Sequence, residues 1–199
     1  MIKLIFIALF LFLLSGCTAT NSSITEYKIA LKTQESNNLS GGCIDKSLKV
    51  VQAFSPSSLM SLQMNYVQGE SKVYAYSQAR WSNSPNKEIS SQMLKVLRES
   101  KLFKNTQNSK SRSKSNLILE TNIEEFMQYY SKDLTESYSY VVISLTLIDA
   151  YTSEVLATKT FSAKSDVETL DASGGVNGLG NALSDVLNQS LNFLNEVCK

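Results

Sequence analysis

The feature that most constrains the fold is an alternation of apolar and polar residues that recurs in three consecutive stretches of residues 116–163. Phe126 falls out of phase, which predicts a bulge near Glu125. Turns are expected at residues 131–135 and 149–153, so the pattern predicts an antiparallel meander of three strands. The residues expected to face inward in its first two strands are Leu117, Leu119, Ile123, Val141, Ile143, Leu145 and Leu147.

Two further segments carry apolar residues at helical spacing. The first opens with Ser84 and Pro85, a pair typical of a helix start, and should run to about Lys101. The second should begin at about Leu179. The glycine-rich residues 174–180 before it are interpreted as a flexible entry to that helix.

Shorter strands are expected at residues 27–31 and 48–54, and residues 64–67 and 72–76 resemble a hairpin. Residues 104–114 are polar and basic, and they are interpreted as a loop. These elements predict an α+β fold, an antiparallel or mixed sheet with two amphipathic helices packed on one face.

The N-terminus has the pattern of an export signal. Lys3 is followed by eleven apolar residues, Leu4–Leu14, and this run is too short to span a membrane, which takes about 20. Residues Leu14–Cys17 read LSGC and resemble the bacterial lipobox, in which the cysteine thiol is lipidated and the chain is cut before it. The alternative is an ordinary signal peptide followed by a chance cysteine.

The lipobox resemblance implies three segments: a lipoprotein signal peptide at 1–16, a lipidated tether at 17–26, and a single periplasmic α+β domain at 27–199. Lipidation of Cys17 would anchor the protein to a membrane without a spanning helix. In the common enterobacterial sorting rule, an Asp after the cysteine would retain the protein at the inner membrane, so the resemblance implies that Thr18 favours the outer membrane.

Two cysteines remain once Cys17 is assigned to the lipid. Export places Cys43 and Cys198 in an oxidising compartment, where such a pair normally forms a disulfide. Closing a loop of this length would stabilise the fold by about 5 kcal/mol. The alternative is two separate buried thiols.

Composition argues against several function classes. The chain contains no histidine, which removes histidine-based acid–base catalysis and most catalytic zinc sites. Without Lys3, 18 basic residues balance 18 acidic ones, so the mature chain lacks the basic footprint of a nucleic-acid binder. We therefore expect no enzymatic activity, no metal, no cofactor and no nucleic-acid partner.

Five aromatic residues gather near one predicted hairpin. They could form a surface for a partner or for a membrane interface, because tyrosine suits half-wet surfaces. The alternative is aromatic packing between neighbouring strands. The residues are Phe126, Tyr129, Tyr130, Tyr138 and Tyr140.

Residues 72–102 combine a strand ending in tyrosine, the segment Ala-Arg-Trp, a proline-led turn and an amphipathic helix. This arrangement resembles the ABC-type transport auxiliary lipoproteins, the family that includes the lipoprotein of the paraquat-inducible transport system. Residues 27–31 and 48–56 resemble earlier parts of that family. Arg80 and Trp81 carry the sharpest resemblance, and we interpret both as structural.

The resemblance implies a role beside an ABC permease, its ATPase and a substrate-binding protein of the mammalian-cell-entry type. The cargo would be phospholipid or another hydrophobic compound, and this chain would be the lipid-anchored, non-catalytic accessory. The alternative is an outer-membrane assembly or scaffold lipoprotein without a transport role. A small envelope hydrolase is disfavoured by the missing histidines.

Overall fold

The structure, a computed structural model, describes residues 23–32 and 43–198. Its helices are α1 Pro85–Glu99 and α2 Ala172–Val197, with a short 3-10 helix at Ser57–Met60. Its strands are β1 Thr25–Tyr27, β2 Ser47–Val50, β3 Gln63–Gln68, β4 Lys72–Trp81, β5 Asn105–Asn108, β6 Leu117–Tyr130, β7 Ser137–Asp149 and β8 Val155–Asp166.

Strand β6 organises the sheet because two shorter strands share one of its edges. Along the other edge it pairs antiparallel with β7, which pairs antiparallel with β8. On the shared edge, β2 lies parallel to residues 117–119 and β3 lies parallel to residues 128–130. Beyond them, β5 pairs with β2, and β4 and then β1 follow β3. The result is a mixed eight-stranded sheet, which confirms the predicted α+β class.

The three-strand meander is confirmed in detail. The pairing of β6 with β7 shifts register between Ile123 and Glu125, where the sequence predicts a bulge. The inward residues of β7 are almost fully buried, at 0 to 1 % exposure. Because side chains alternate between the two faces of a strand, every second residue of β7 contributes to the core in this part of the sheet.

Helix α1 begins at Pro85, directly after Ser84, as expected. Its buried stripe includes Ile89 and Met93, which face the core. It ends at Glu99, two residues before the expected end, and Lys101 then adopts a positive φ of 55° that turns the chain away. The second helix, α2, packs mainly on β7 and β8, on the same face of the sheet.

The prediction of a flexible glycine-rich entry to the last helix was wrong, because α2 begins at Ala172 and contains residues 174–180. The Asp171 carboxylate accepts a hydrogen bond from the backbone N–H of Gly174 at 2.8 Å and starts the helix there. The glycines bring the helix backbone close to its neighbours. A Cβ on Gly175 would overlap the Gln128 side chain, so the stretch is a packing surface.

Three smaller expectations also differ from the structure. The first strand covers residues 25–27 instead of 27–31, so it begins inside the expected tether. Strand β2 ends at Val50, and Phe54 makes only an isolated bridge to Asn122. Residues 105–108, expected to belong to a loop, form β5 because β2 offers them a free parallel edge.

Among the helices of the described residues, none combines the length and the apolar character that a membrane crossing requires.

Candidate functional site

The expected lipidation site, Cys17, and the signal peptide at 1–16 lie outside the described residues. The structure does show how the chain enters the fold. Strand β1 runs parallel to β4, with Thr25 opposite Ala79 and Tyr27 opposite Trp81. Because β4 begins at the β3–β4 turn, the chain reaches β1 from the side of that turn.

Cys43 and Cys198 form a disulfide with a Cα–Cα distance of 5.1 Å. This is the pairing expected from the sequence. Both residues are buried. The bridge links the residues just before β2 to the end of α2, across 155 positions of the chain.

Arg80 and Trp81 hold the sheet together at the end of β4. The Arg80 Nε donates a hydrogen bond to Glu26 Oε1 at 3.0 Å, which fastens the short strand β1 to β4. Trp81 is buried, and its ring centroid lies 5.9 Å from that of Phe126. Its backbone N–H donates to the Leu62 carbonyl at 2.8 Å. The two residues therefore make structural contacts.

The five aromatic residues proposed as one surface lie on two faces of the sheet. Phe126 and Tyr130 are 3 and 6 % exposed and face the helices. Assigning them to a surface was wrong, because after the bulge the even-numbered positions of β6 turn inward. Tyr129, Tyr138 and Tyr140 lie on the opposite face and are half-buried.

Two of the three tyrosines on this opposite face stack on each other. Tyr129 and Tyr138 lie opposite each other in the ladder, and their ring centroids are 5.2 Å apart at an angle of 9°. Lys164 Nζ sits 3.7 Å from the centre of the Tyr138 ring. Burial and the neighbouring Glu125 carboxyl raise the pKa of Tyr129, and burial also raises the pKa of Glu125. Ionisation of the Tyr129 hydroxyl is therefore disfavoured.

A second group of tyrosines, on the helix side, was missed by the sequence analysis. The Tyr76 hydroxyl donates to Gln128 Oε1 at 2.8 Å and lies 2.7 Å from the Tyr130 hydroxyl. The Gln128 Nε2 donates to Tyr130 Oη at 3.0 Å and to the carbonyl of Asp171 at 3.3 Å. Burial raises the pKa of Tyr76, so its phenol stays protonated. The predicted hairpin did carry a sequence signal for this group, because it contains Tyr66, Tyr74 and Tyr76, spaced by eight and then by two residues.

This helix-side group borders an open cleft between strands β1 and β4 and the start of α2. The cleft has a volume of about 380 Å³ and is lined in part by Thr25, Tyr27, Tyr76, Leu170 and Asp171. Its volume lies in the range of about 300–1,000 Å³ that is typical of small-molecule sites. Within residues 23–32 and 43–198, no group of three or more His, Cys, Asp or Glu side chains could hold a metal ion.

Comparison with known proteins shows what the fold resembles. A crystal structure of a Xanthomonas campestris protein of the DUF330 family has a TM-score of 0.76 at 13% identity, covering 86% of this chain and 95% of that chain. The structure of an uncharacterized protein has a TM-score of 0.64 at 12% identity, covering 88% and 99%. No protein-family model and no curated protein matches the sequence. At these identities the likeness shows a shared fold alone.

Proposed function

We propose that this chain is a lipid-anchored protein of the bacterial envelope, and that it serves as a non-catalytic accessory of an ABC-type transport system. The observation that carries the proposal is the sequence Leu14–Cys17, placed directly after an eleven-residue apolar run. Such a run is long enough for a signal core and too short to span a bilayer, which takes about 20 residues. Cys17 would carry the lipid.

The folded domain supports export. A disulfide between Cys43 and Cys198 is typical of an oxidising compartment such as the bacterial periplasm. The sheet begins at Thr25, so only a short tether separates the expected anchor from the domain. Thr18 after the cysteine favours the outer membrane over the inner one.

The transport role is supported by the segment from β4 to α1. Its Arg80-Trp81 pair, followed by a proline-led helix, resembles the ABC-type transport auxiliary lipoproteins. The expected partners are an ABC permease, its ATPase and a substrate-binding protein of the mammalian-cell-entry type. The expected cargo is phospholipid or another hydrophobic compound. This chain also shares its fold with the DUF330 protein.

The anchor is tested by the intact mass of the chain purified from bacterial membranes. We expect a mature chain that begins at Cys17 and carries a diacylglyceryl group. The control variant Cys17→Ser should keep its signal peptide and carry no lipid. A native chain cut at another position and free of lipid would contradict the anchor.

The transport role is tested by crosslinking in native membranes and by deleting the gene. We expect the permease, the ATPase or the substrate-binding protein among the crosslinked proteins, and a deletion strain with altered lipid asymmetry. If outer-membrane assembly proteins are crosslinked instead and lipid asymmetry is intact, the scaffold alternative replaces the transport role.

A further inference from the structure

We propose that a cavity between α1 and β5 binds a phosphate group. The cavity has a volume of about 300 Å³ and lies where the end of β2, the first half of α1 and the turn after β5 meet. It shares no lining residue with the cleft between β1, β4 and the start of α2. This phosphate site goes beyond the lipid anchor and the transport role and depends on neither.

Two lysines from different segments line this cavity. Lys87 belongs to the first turn of α1, and Lys110 follows β5. In the part of the chain that the structure describes, neither lysine forms an ion pair with a carboxylate, and no described residue that lines the cavity is acidic. The helix dipole disfavours a cation in the first turn, so the charge of Lys87 does not serve the stability of α1. Two ammonium groups beside one cavity favour an anion with more than one negative charge.

Hydroxyl and amide groups beside the lysines supply further donors. The side chains of Ser91, Asn108 and Ser109 line the same cavity. Asn108 Oδ1 accepts a hydrogen bond from the backbone N–H of Lys110 at 3.2 Å, and its Nδ2 still carries two N–H donors. Lysine, serine and asparagine side chains are among the groups that donate to phosphate oxygens in proteins. The lining therefore matches a phosphate better than a carboxylate, which has only two oxygens.

Hydrogen bonds between segments hold the walls of the cavity in place. Ser90 Oγ donates to the Asn86 carbonyl at 2.6 Å and accepts from the backbone N–H of Ala53 at 2.9 Å, which joins α1 to the chain after β2. Arg98 Nε donates to the Thr106 carbonyl at 3.1 Å, which joins α1 to β5. A site on such walls is largely formed before its ligand arrives, which lowers the cost of binding.

The charges of the chain are segregated around this cavity. Residues 87–114, which include most of α1, all of β5 and the loop after it, contain eight basic and two acidic residues, a net charge of +6. Residues 115–198, which form β6, β7, β8 and α2, contain three basic and twelve acidic residues, a net charge of −9. A surface of one sign raises the local concentration of ligands of the opposite sign. An anion is therefore attracted to the side of the fold that holds the cavity.

Apolar side chains on one wall bear on the source of the phosphate. Val50, Val51 and Leu94 line the cavity, and the last two are half-buried. A phospholipid would bury carbon atoms against these side chains, whereas inorganic phosphate would contact only the polar lining. The two sources share the same phosphate chemistry, and they differ in whether this apolar wall contributes to binding.

NMR titrations test the site on the full mature chain in dodecyl maltoside, a detergent without phosphate. The probes are inorganic phosphate and dihexanoyl phosphatidic acid, with acetate as the anion control. Binding is followed through the backbone amide signals of Ser91, Asn108 and Ser109. The test variants are Lys87→Gln and Lys110→Gln, whose lysines are exposed, so that the core stays intact. The matched control is Lys95→Gln, an exposed lysine of the same helix that does not line the cavity.

We expect inorganic phosphate to shift these amide signals and acetate to leave them nearly unchanged. Each test variant should raise the dissociation constant for phosphate about fivefold, and the double variant about twentyfold. Lys95→Gln should change it by less than about twofold. The site is overturned if neither phosphate probe shifts these signals, if acetate binds as tightly as phosphate, or if Lys95→Gln weakens binding as much as Lys87→Gln.

The variant Leu94→Ala separates the two sources of the phosphate. If phosphatidic acid binds about tenfold more tightly than inorganic phosphate, and Leu94→Ala removes this advantage, the ligand is a phospholipid headgroup with its adjoining carbon atoms. If both probes bind alike and Leu94→Ala changes neither, the ligand is a free phosphate. Both results support the phosphate site. A phosphate site without crosslinked transport proteins would contradict the transport role alone.

Discussion

The two halves of α2 pack against the sheet by different means. In the first half, residues 172–180, four buried glycines bring the helix backbone close to its neighbours. Gly175 and Gly178 approach the polar side chains of Gln128 in β6 and Ser139 in β7, and the other two approach backbone carbonyls outside these strands. Ser139 Oγ, for example, donates a hydrogen bond to the Gly175 carbonyl at 3.1 Å. In the second half, residues 181–197, large apolar side chains fill the core, and Phe193 packs edge-on against Phe161 at 5.6 Å.

The difference separates two sources of stability. Apolar burial in the second half is non-directional and tolerates substitutions that keep the volume. The first half depends on close approach and on hydrogen bonds of fixed geometry, so a single added methyl group can disrupt it. The second half is also tied to the rest of the fold by the disulfide of Cys198.

Removal of the disulfide should have the largest effect and should act on the second half. The bridge closes 155 positions of the chain, so the variant Cys198→Ser should lower the free energy of unfolding by about 5 kcal/mol in the chain-entropy description. Urea unfolding measures this loss. Hydrogen exchange should speed up more in residues 184–197 than in residues 172–180.

The control for this prediction is the parent protein treated with a reductant, which should unfold at the same urea concentration as Cys198→Ser. Cys43→Ser should match both. A parent protein whose unfolding midpoint does not change on reduction would show that the bridge adds nothing to the second half.

A methyl group added in the first half should have the next largest effect. A Cβ on Gly180 would overlap the carbonyl oxygen of Ala30, and backbone atoms cannot move aside as a side chain can. On an exposed helix face, Gly→Ala stabilises by about 1 kcal/mol. Here we expect Gly180→Ala to destabilise by about 3 kcal/mol, measured by urea unfolding.

The matched control for Gly180→Ala is Asn177→Ala, one turn earlier on the exposed face of the same helix. Helix propensity favours alanine there, so this variant should be as stable as the parent or slightly more so. If the two variants behave alike, the first half is not closely packed.

The same difference explains what could be predicted from the sequence. The second half of α2 and the inward residues of β7 were found because apolar spacing reports burial of side chains directly. The first half was missed because glycine adds no apolar side chain to the pattern. Its glycines matter because they let the helix backbone approach Gln128 and Ser139, which are distant in sequence. Strand β5 was missed for a similar reason, since its polar residues pair with β2 through the backbone.

The surface proposed for the five aromatic residues was predicted only in part. Alternation located all five aromatic residues in β6 and β7, but the bulge between Ile123 and Glu125 decides which of them face the helices. A bulge shifts the face of every later residue by one position, and its place in the sequence can be predicted only approximately.

Loss of the Tyr76 hydroxyl should weaken the first half by a smaller amount. In Tyr76→Phe, the Gln128 side chain, which is 1 % exposed, loses the hydrogen bond to its Oε1 and cannot find water in exchange. We expect the free energy of unfolding to fall by about 2 kcal/mol. The comparison variant is Tyr74→Phe, whose tyrosine is 42 % exposed, and it should change stability little. Equal effects of the two variants in urea unfolding would contradict this role of Tyr76.

The smallest expected effect concerns the cap at the start of the first half. The backbone N–H of Gly174 and the hydroxyl of Thr169 hold the pKa of Asp171 below its usual range. Asp171→Ala should therefore lower the free energy of unfolding by about 1 kcal/mol at pH 7. A lowered folded-state pKa gives stability that is present above the unfolded pKa, about 3.9, and lost as pH falls through the folded pKa. The stability difference between parent and variant should shrink below about pH 4, whereas Asp171→Asn, which keeps a capping oxygen, should show no such loss. A difference from Asp171→Ala that stays constant from pH 7 to pH 2, measured by urea unfolding, would exclude a charged cap.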